Sequence, residues 1–347
     1  MFQITAPDMA RADFIQRKID SKTKPQGSLG KLESVAWQLA LLQQTETISV
    51  TNPHILTFAG DHGISRHGLS IAPSEVTTQM VNNFLTGGAA INCFCRTNNV
   101  NLSVIDAGTK LEAEDHPDLI KQRLGNGTLD FTEQPAMSIQ TVLKGLGLGA
   151  QQAVRVHQTG CNVIGFGEMG ICNSSSAAAL MAATLKIPAS ECVGYGTGIS
   201  PDQLRKKTAL IQVALDIHQS RLTSPLSILS VFGGFEIVQM VGGMLKAAEL
   251  QMTILVDGFI TTAAALMAYE LYPEVLHYFI FCHQSEEQGH RLMLEHLKAD
   301  PILHLDLRLG EGTGAALAVP LLRAACEFYN TMATFDQAGV EPVNGDT

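Results

Sequence analysis

The stretch Leu307-Arg-Leu-Gly-Glu311-Gly-Thr-Gly314 sets one carboxylate between glycines at the mouth of an apolar helical run, Ala315 to Ala325. Glycines let backbone approach a ligand closely, and a partly desolvated carboxylate has a raised pKa and makes a usable general base. Glutamate at a helix N-terminus is also ordinary dipole stabilisation. A second candidate is Asn173-Ser174-Ser175-Ser176, a run of good capping residues opening an alanine-rich stretch, whose free amides and dipole favour an anion or simply cap a structural helix. The glycine-rich turn Gly194-Tyr-Gly196-Thr197-Gly198 leads to Arg205-Lys206-Lys207, among the few basic clusters of the chain. One monophosphate could be shared between these elements; no G-x-x-x-x-G-K-[ST] loop is present for a triphosphate.

Other motifs point to less. Gly165-Phe-Gly167-Glu168-Met-Gly170 matches G-x-G-x-x-G, but a dinucleotide loop runs straight into its helix, is followed by an acid about 20 residues on, and carries no acid to repel a pyrophosphate. Val256-Asp257-Gly258-Phe-Ile-Thr261-Thr262 faintly resembles a phosphoribosyl-pyrophosphate loop, yet Gly258 stands where a second acid would help to hold magnesium. Eleven histidines include no H-E-x-x-H and no cysteine–histidine spacing, so no metal site is expected. Asp61-His62 could be a catalytic pair or a satisfied loop histidine, and no G-x-S-x-G elbow supports a serine hydrolase.

These clusters need a scaffold. β-rich runs begin at His54, Leu102, Asn162, Ile228, Thr253 and Tyr278, each ending in glycine and polar residues, with helical stretches between them such as Ser176 to Lys186, Gly242 to Leu250 and Thr262 to Leu271. Alternation of this kind predicts an α/β fold: a mostly parallel sheet with helices on both faces, its ligands bound beyond the carboxyl ends of the strands. Asp20 to Gln44 reads as a turn and then a helix, and Gly314 to Gly339 as a helical segment able to pack with it. The chain has 347 residues with 46% apolar and 16% charged, so it folds; its net charge of −10 opposes nucleic acid and anionic bilayers. Seven cysteines without C-x-x-C, no basic start leading into an apolar stretch, and no run of roughly eighteen apolar residues predict a soluble, cytoplasmic chain with reduced thiols.

Taken together, Gly27-Ser-Leu-Gly-Lys-Leu-Glu33, Phe58-Ala-Gly-Asp-His-Gly63, Val76-Thr-Thr-Gln-Met80, Gly88-Ala-Ala-Ile-Asn92 and Gly167-Glu-Met-Gly-Ile171 form a pattern. With Gly196-Thr-Gly198, Val256-Asp-Gly-Phe259, His283 to His290 and Arg308-Leu-Gly-Glu-Gly-Thr-Gly-Ala315, the chain closely resembles the nicotinate-nucleotide:dimethylbenzimidazole phosphoribosyltransferase family over about residues 20–340. The resemblance implies transfer of ribose 5-phosphate from nicotinate mononucleotide to 5,6-dimethylbenzimidazole, giving α-ribazole 5′-phosphate and nicotinate in assembly of the lower nucleotide loop of cobalamin. It implies a Rossmann-like domain over 46–311, a small helical domain from 1–45 with 312–347, a homodimer, and neither metal nor cofactor.

At residue level the resemblance makes Glu311 the general base, and Glu168 a second acid facing the ribose or its developing positive charge. The nucleotide and its phosphate fall to Gly170, Ser174, Ser175, Gly196, Thr197, Gly198, Lys207, Gly234, Asp257, Gly258 and Ser285, and the aromatic base to Ser74, Met80 and Leu309. The chain departs from the family pattern at Cys172-Asn-Ser-Ser175, where Gly-Asn-Thr-Thr is usual, at Tyr195, where arginine is frequent, and at Glu286, where a small residue is common.

Overall fold

The computed structural model describes residues 2–196 and 198–341. β1 (His54–Gly60), β2 (Asn101–Gly108), β3 (Leu119–Lys121), β4 (Val163–Met169), β5 (Thr253–Val256) and β6 (Phe279–Phe281) form one sheet in the order β3-β2-β1-β4-β5-β6, every neighbouring pair parallel. Parallel neighbours need crossovers, and these put helices on both faces.

Successive strand residues face opposite ways, and the sequence fills both faces with apolar side chains. Leu56, Phe58, Ile164, Phe166, Ile254 and Val256 enter one core with the helices Ile139–His157, Asn173–Leu185, Phe235–Glu249 and Phe259–Leu271. Their alternates Ile55, Ala59, Val163, Leu255 and Ile280 enter the other with Ala12–Asp20, Lys31–Gln43, Glu75–Leu85, Ala90–Thr97 and Thr313–Thr331. The two ends of the chain meet in that second layer. Lys22 and Thr334 form an antiparallel bridge, and the Asn330 side chain brackets the Ile48 backbone with bonds of 3.1 and 2.8 Å. Among the described residues no helix is long and apolar enough to cross a membrane.

One expected strand is a helix. The run from Ile228 lies in the helix Pro225–Phe232, which opens on a capping box at Ser224 with proline at its first position. A short apolar run fits a buried strand or a buried helix equally, and the Ser-Pro start decides.

β1 lies between β2 and β4, so chain leaving its carboxyl end moves one way across the sheet and chain leaving β4 the other. That reversal opens a crevice beyond the carboxyl ends of the two strands, where an open α/β sheet binds ligands.

Candidate functional site

An open cavity occupies this crevice. β4 delivers Glu168 and Gly170 to it, the turn after β5 Gly258, the turn after β6 His283, Ser285 and Glu287, and the loop before the helix Thr313–Thr331 delivers Arg308, Leu309 and Gly310.

One wall is built for an anion. The helix Asn173–Leu185 begins at the expected residue, with Cys172 in the left-handed conformation at its N-cap, so its first amides face the cavity. Lys207, on the helix Pro201–His218, is buried; its Nζ donates to Ser174 Oγ at 3.0 Å and to the Gly194 carbonyl at 3.4 Å. Burial pulls its pKa down, opposed by the charge of Glu287. The Glu287 carboxyl is itself pushed up by burial and held back by Lys207, the Gly196 amide and Arg308. Ser285 is fixed through its backbone, whose amide donates to His290 Nδ1 at 2.8 Å. That bond leaves the proton of the neutral ring on Nε2, which donates to Thr262 Oγ1 at 2.9 Å; burial, with His283 beside it, pushes His290 down to about 3.

The opposite chemistry lies at the ends of β4 and β5. Glu168 is buried, accepts a hydrogen bond from Asn173 Nδ2, and is raised to about 8, by burial first and then by Asp257, Glu236 and Glu311 against the Asn173 bond. Glu311 stands one residue behind the cavity wall at Gly310, 5% exposed, with φ +65° between Gly310 at +90° and Gly312 at +92°. Its Oε2 accepts from the Ile91 amide at 3.1 Å, and among the described residues its Oε1 accepts no hydrogen bond. Burial raises its pKa, the Ile91 amide lowers it and the Asp257 charge raises it again, for a net rise. The loop can lie this close because residue 167 is glycine: a Cβ there would fall 2.2 Å from the Glu311 carbonyl oxygen.

Of the residues expected in the site, Glu168, Gly170, Ser174, Gly196, Lys207, Gly258, Ser285 and Leu309 line this one cavity. Glu311, Ser74, Met80, Ser175, Gly198, Gly234 and Asp257 do not, and Thr197 lies outside the described residues. Ser74 shares a hydrogen bond of 3.0 Å with Ser65 Oγ, Met80 packs toward the second core, and Gly234 sits against the buried pair His62–Glu236, whose Nε2···Oε1 distance is 2.7 Å. That pair accounts for His62. Asp257 faces amides of the 312–315 segment and not the cavity, its Oδ1 accepting from Gly314 at 2.6 Å and Ala315 at 3.2 Å and its Oδ2 from Gly312 at 3.1 Å. Arg205 pairs with Asp202 and Lys206 Nζ reaches the His67 carbonyl at 2.6 Å, so of the three clustered cations only Lys207 enters the site. Sequence reasoning gave no role to Asn173 toward Glu168, or to His283, Glu287 and Arg308 on the cavity wall; the last three lie inside the family strings, which was their only signal. Among the described residues no three His, Cys, Asp or Glu side chains converge as metal ligands.

The phosphoribosyltransferase family model matches residues 4–340. The chain is 65% identical over 340 residues to the nicotinate-nucleotide–dimethylbenzimidazole phosphoribosyltransferase of Photobacterium profundum, covering 98% of this chain and 99% of that one. It is 55% identical to the protein of that name from Shewanella sp. (strain ANA-3), covering 99% and 98%. The crystal structure of CobT from Thermus thermophilus superposes with a TM-score of 0.91 at 40% identity, over 95% of this chain and 98% of that chain. The nicotinate-nucleotide–dimethylbenzimidazole phosphoribosyltransferase structure from the same organism gives 0.91 at 39%, over 96% and 99%.

Proposed function

The chain belongs to the nicotinate-nucleotide–dimethylbenzimidazole phosphoribosyltransferase family and is a pentosyl-transferring enzyme, and from that premise we propose how it works on its substrates. It moves the 5-phosphoribosyl group of nicotinate mononucleotide to 5,6-dimethylbenzimidazole, giving α-ribazole 5′-phosphate with inversion at the anomeric carbon. One observation carries this reading: a single cavity is lined both by a buried lysine bonded, among the described residues, only to a hydroxyl and a carbonyl and by a buried glutamate raised to about 8. The first suits a phosphate. The second suits the cationic side of a pyridinium nucleotide.

Lys207, Ser174, Ser285 and the amide at Gly258 hold the phosphate. One benzimidazole nitrogen attacks the anomeric carbon, the bond to the pyridinium nitrogen breaks, and its electron pair neutralises the departing nicotinate. The departure therefore needs no strong acid. The proton on the other benzimidazole nitrogen passes to Glu311, whose carboxylate burial makes a stronger base than an exposed one. Glu168 faces the positive charge that develops on the ribose. Holding both reactants in one crevice supplies a further share of the rate.

The enzyme acts as a homodimer, a reading supported by exposed apolar pairs spaced four residues apart, Ile139 with Leu143 and Val213 with Ile217. It works in the cytoplasm, supported by seven free cysteines, all buried except Cys93. The test is Glu311→Gln, with released nicotinate followed by chromatography. The variant folds and binds both substrates, and its turnover falls by about 10²- to 10⁴-fold. A near-native rate removes Glu311 from the mechanism.

A further inference from the structure

Three consecutive residues, Gly310, Glu311 and Gly312, hold left-handed backbone, and the middle one is an L-residue for which that conformation is unfavourable. Such a backbone persists only when its surroundings over-determine it. The clamps can be named. From β1, Thr57 Oγ1 donates to the Glu311 carbonyl at 2.9 Å, and from β4 the Glu168 carbonyl accepts from the Glu311 amide at 3.2 Å. Thr313 Oγ1 closes the loop on the Gly310 carbonyl at 2.8 Å.

The charged clamp is Asp257, directly after β5. It is 1% exposed, and both its oxygens are taken up by the amides of Gly312, Gly314 and Ala315. Residue 314 must be glycine for this seating: a Cβ there would lie 2.1 Å from His283 Cδ2 and 2.7 Å from Asp257 Oδ1. His283 stands behind, its Nε2 3.5 Å from Oδ1.

We infer that Asp257 is a positioning residue for the transfer reaction: by fixing the backbone on the carboxyl side of Glu311 it sets where the base stands, while touching neither substrate. The inference rests on the reading of Glu311 as the base. Asp257 also governs when that base is free of its proton. The groups around the Glu311 carboxyl are the Ile91 amide from the helix Ala90–Thr97, Asp257 from the end of β5 and Glu168 from β4, and the charge of Asp257 opposes ionisation of Glu311.

The experiment is a double-mutant cycle on the full-length enzyme, with nicotinate release measured across pH. Asp257→Asn cannot offer both oxygens to the three amides. Its kcat falls about 10²-fold, the loss a displacement near 1 Å produces, while KM for nicotinate mononucleotide stays within about threefold. With the Asp257 charge gone, Glu311 loses its proton more readily, so the acidic limb of the rate profile moves to lower pH. In a Glu311→Gln background the same change costs less than about threefold, because a displaced base that is already disabled has nothing more to lose. A helix cap with no part in positioning would lower the unfolding midpoint and leave the limb where it was.

Near-native kcat in Asp257→Asn, an unmoved limb, or losses that multiply in full with those of Glu311→Gln overturn the positioning role alone. Near-native turnover of Glu311→Gln overturns both this role and the reading beneath it. Should Asp257→Asn fail to fold, Asp257→Glu keeps the charge on a longer arm; it is expected to lose kcat with the limb unmoved, and near-native kcat in that variant also overturns the role.

Discussion

Replacing Lys207 with methionine tests the anion wall with the fewest side effects, since the two side chains are similar in length and residue 207 is 2% exposed. Among the described residues Nζ is bonded only to Ser174 Oγ and the Gly194 carbonyl and has no carboxylate oxygen within 4.0 Å. A phosphate seated here would meet a cation already stripped of water. Removing one partner of a buried, hydrogen-bonded charge pair costs about 2–5 kcal/mol. At roughly 3 kcal/mol, KM for nicotinate mononucleotide rises about 10²-fold. Because the phosphate carries the same charge before and during transfer, the loss is uniform binding energy and kcat stays within several-fold. Stability moves the other way. Burial depresses the Lys207 pKa, so the folded state binds its proton less well than the unfolded chain, and wild-type stability gains as pH rises toward the ordinary lysine value of 10.5. The variant lacks that penalty. In phosphate-free buffer its unfolding midpoint therefore equals or exceeds wild type near neutrality, and the advantage shrinks in alkali. Steady-state nicotinate release and thermal unfolding across pH measure both effects. A fall in kcat at unchanged KM would refute the placement of the phosphate.

Two further substitutions probe the acidic wall. Gly167→Ala drives a Cβ to 2.2 Å from the Glu311 carbonyl oxygen and 2.4 Å from the Gly312 amide nitrogen, so the loop must shift; stability drops by about 1–3 kcal/mol and kcat by about 10²-fold, whereas Gly147→Ala, with nothing within 4 Å, leaves both near wild type. Equal effects at the two glycines would mean that loop position is unimportant. For Glu168, raised from 4.5 to about 8, the folded state keeps a proton that the unfolded chain gives up, so this residue erodes stability as pH climbs between those values. Glu168→Gln cannot ionise, and its unfolding midpoint gains on wild type across that interval while nicotinate release slows; a pH-independent difference would contradict the burial of an uncompensated carboxyl.

Local signals carried much of this into the sequence. The β-rich runs ending in glycine and polar residues locate β1, β2, β4, β5 and β6, and Asn173 begins the helix its capping character predicts. The glycines flanking Glu311 mark the left-handed loop. The rest depends on contacts between distant residues. His62 and Glu236 are separated by 174 positions, and neither segment announces the other. Asp257 reads as a strand-end acid suited to a ligand until the helix Thr313–Thr331 is placed with its first amides on that carboxylate. Arg205, Lys206 and Lys207 read as one cluster, but adjacent helical residues point about 100° apart, so only one of the three can enter the cavity.

The partners of the buried acids explain how one crevice can bind an anion at one end and ease the loss of a cation at the other. Buried carboxylates lie beyond the carboxyl ends of β1, β4 and β5: Asp61, held by Thr77 Oγ1 and the Lys110 amide, is pushed up by burial, and four more fall into two classes. Glu236 is paired with His62 and Asp257 stands beside His283; burial pulls both imidazoles down, and each carboxylate overrides it to raise them. Among the described residues Glu168 and Glu311 have only neutral donors, the Asn173 amide group and the Ile91 backbone, and both are pushed up. Of these four, the two with neutral donors are the two to which the proposed mechanism gives roles in the transfer. In the proposed mechanism a pyridinium nucleotide supplies the missing positive charge at Glu168 when it binds, which favours the ionised carboxyl there. On the same proposal, as the glycosidic bond breaks that charge passes through the ribose to the incoming benzimidazole and leaves as a proton on Glu311. Pairing either acid with a fixed lysine would lower its pKa and tie it up within the protein; among the described residues neither has such a cation, which in the proposed mechanism leaves each available to the migrating charge.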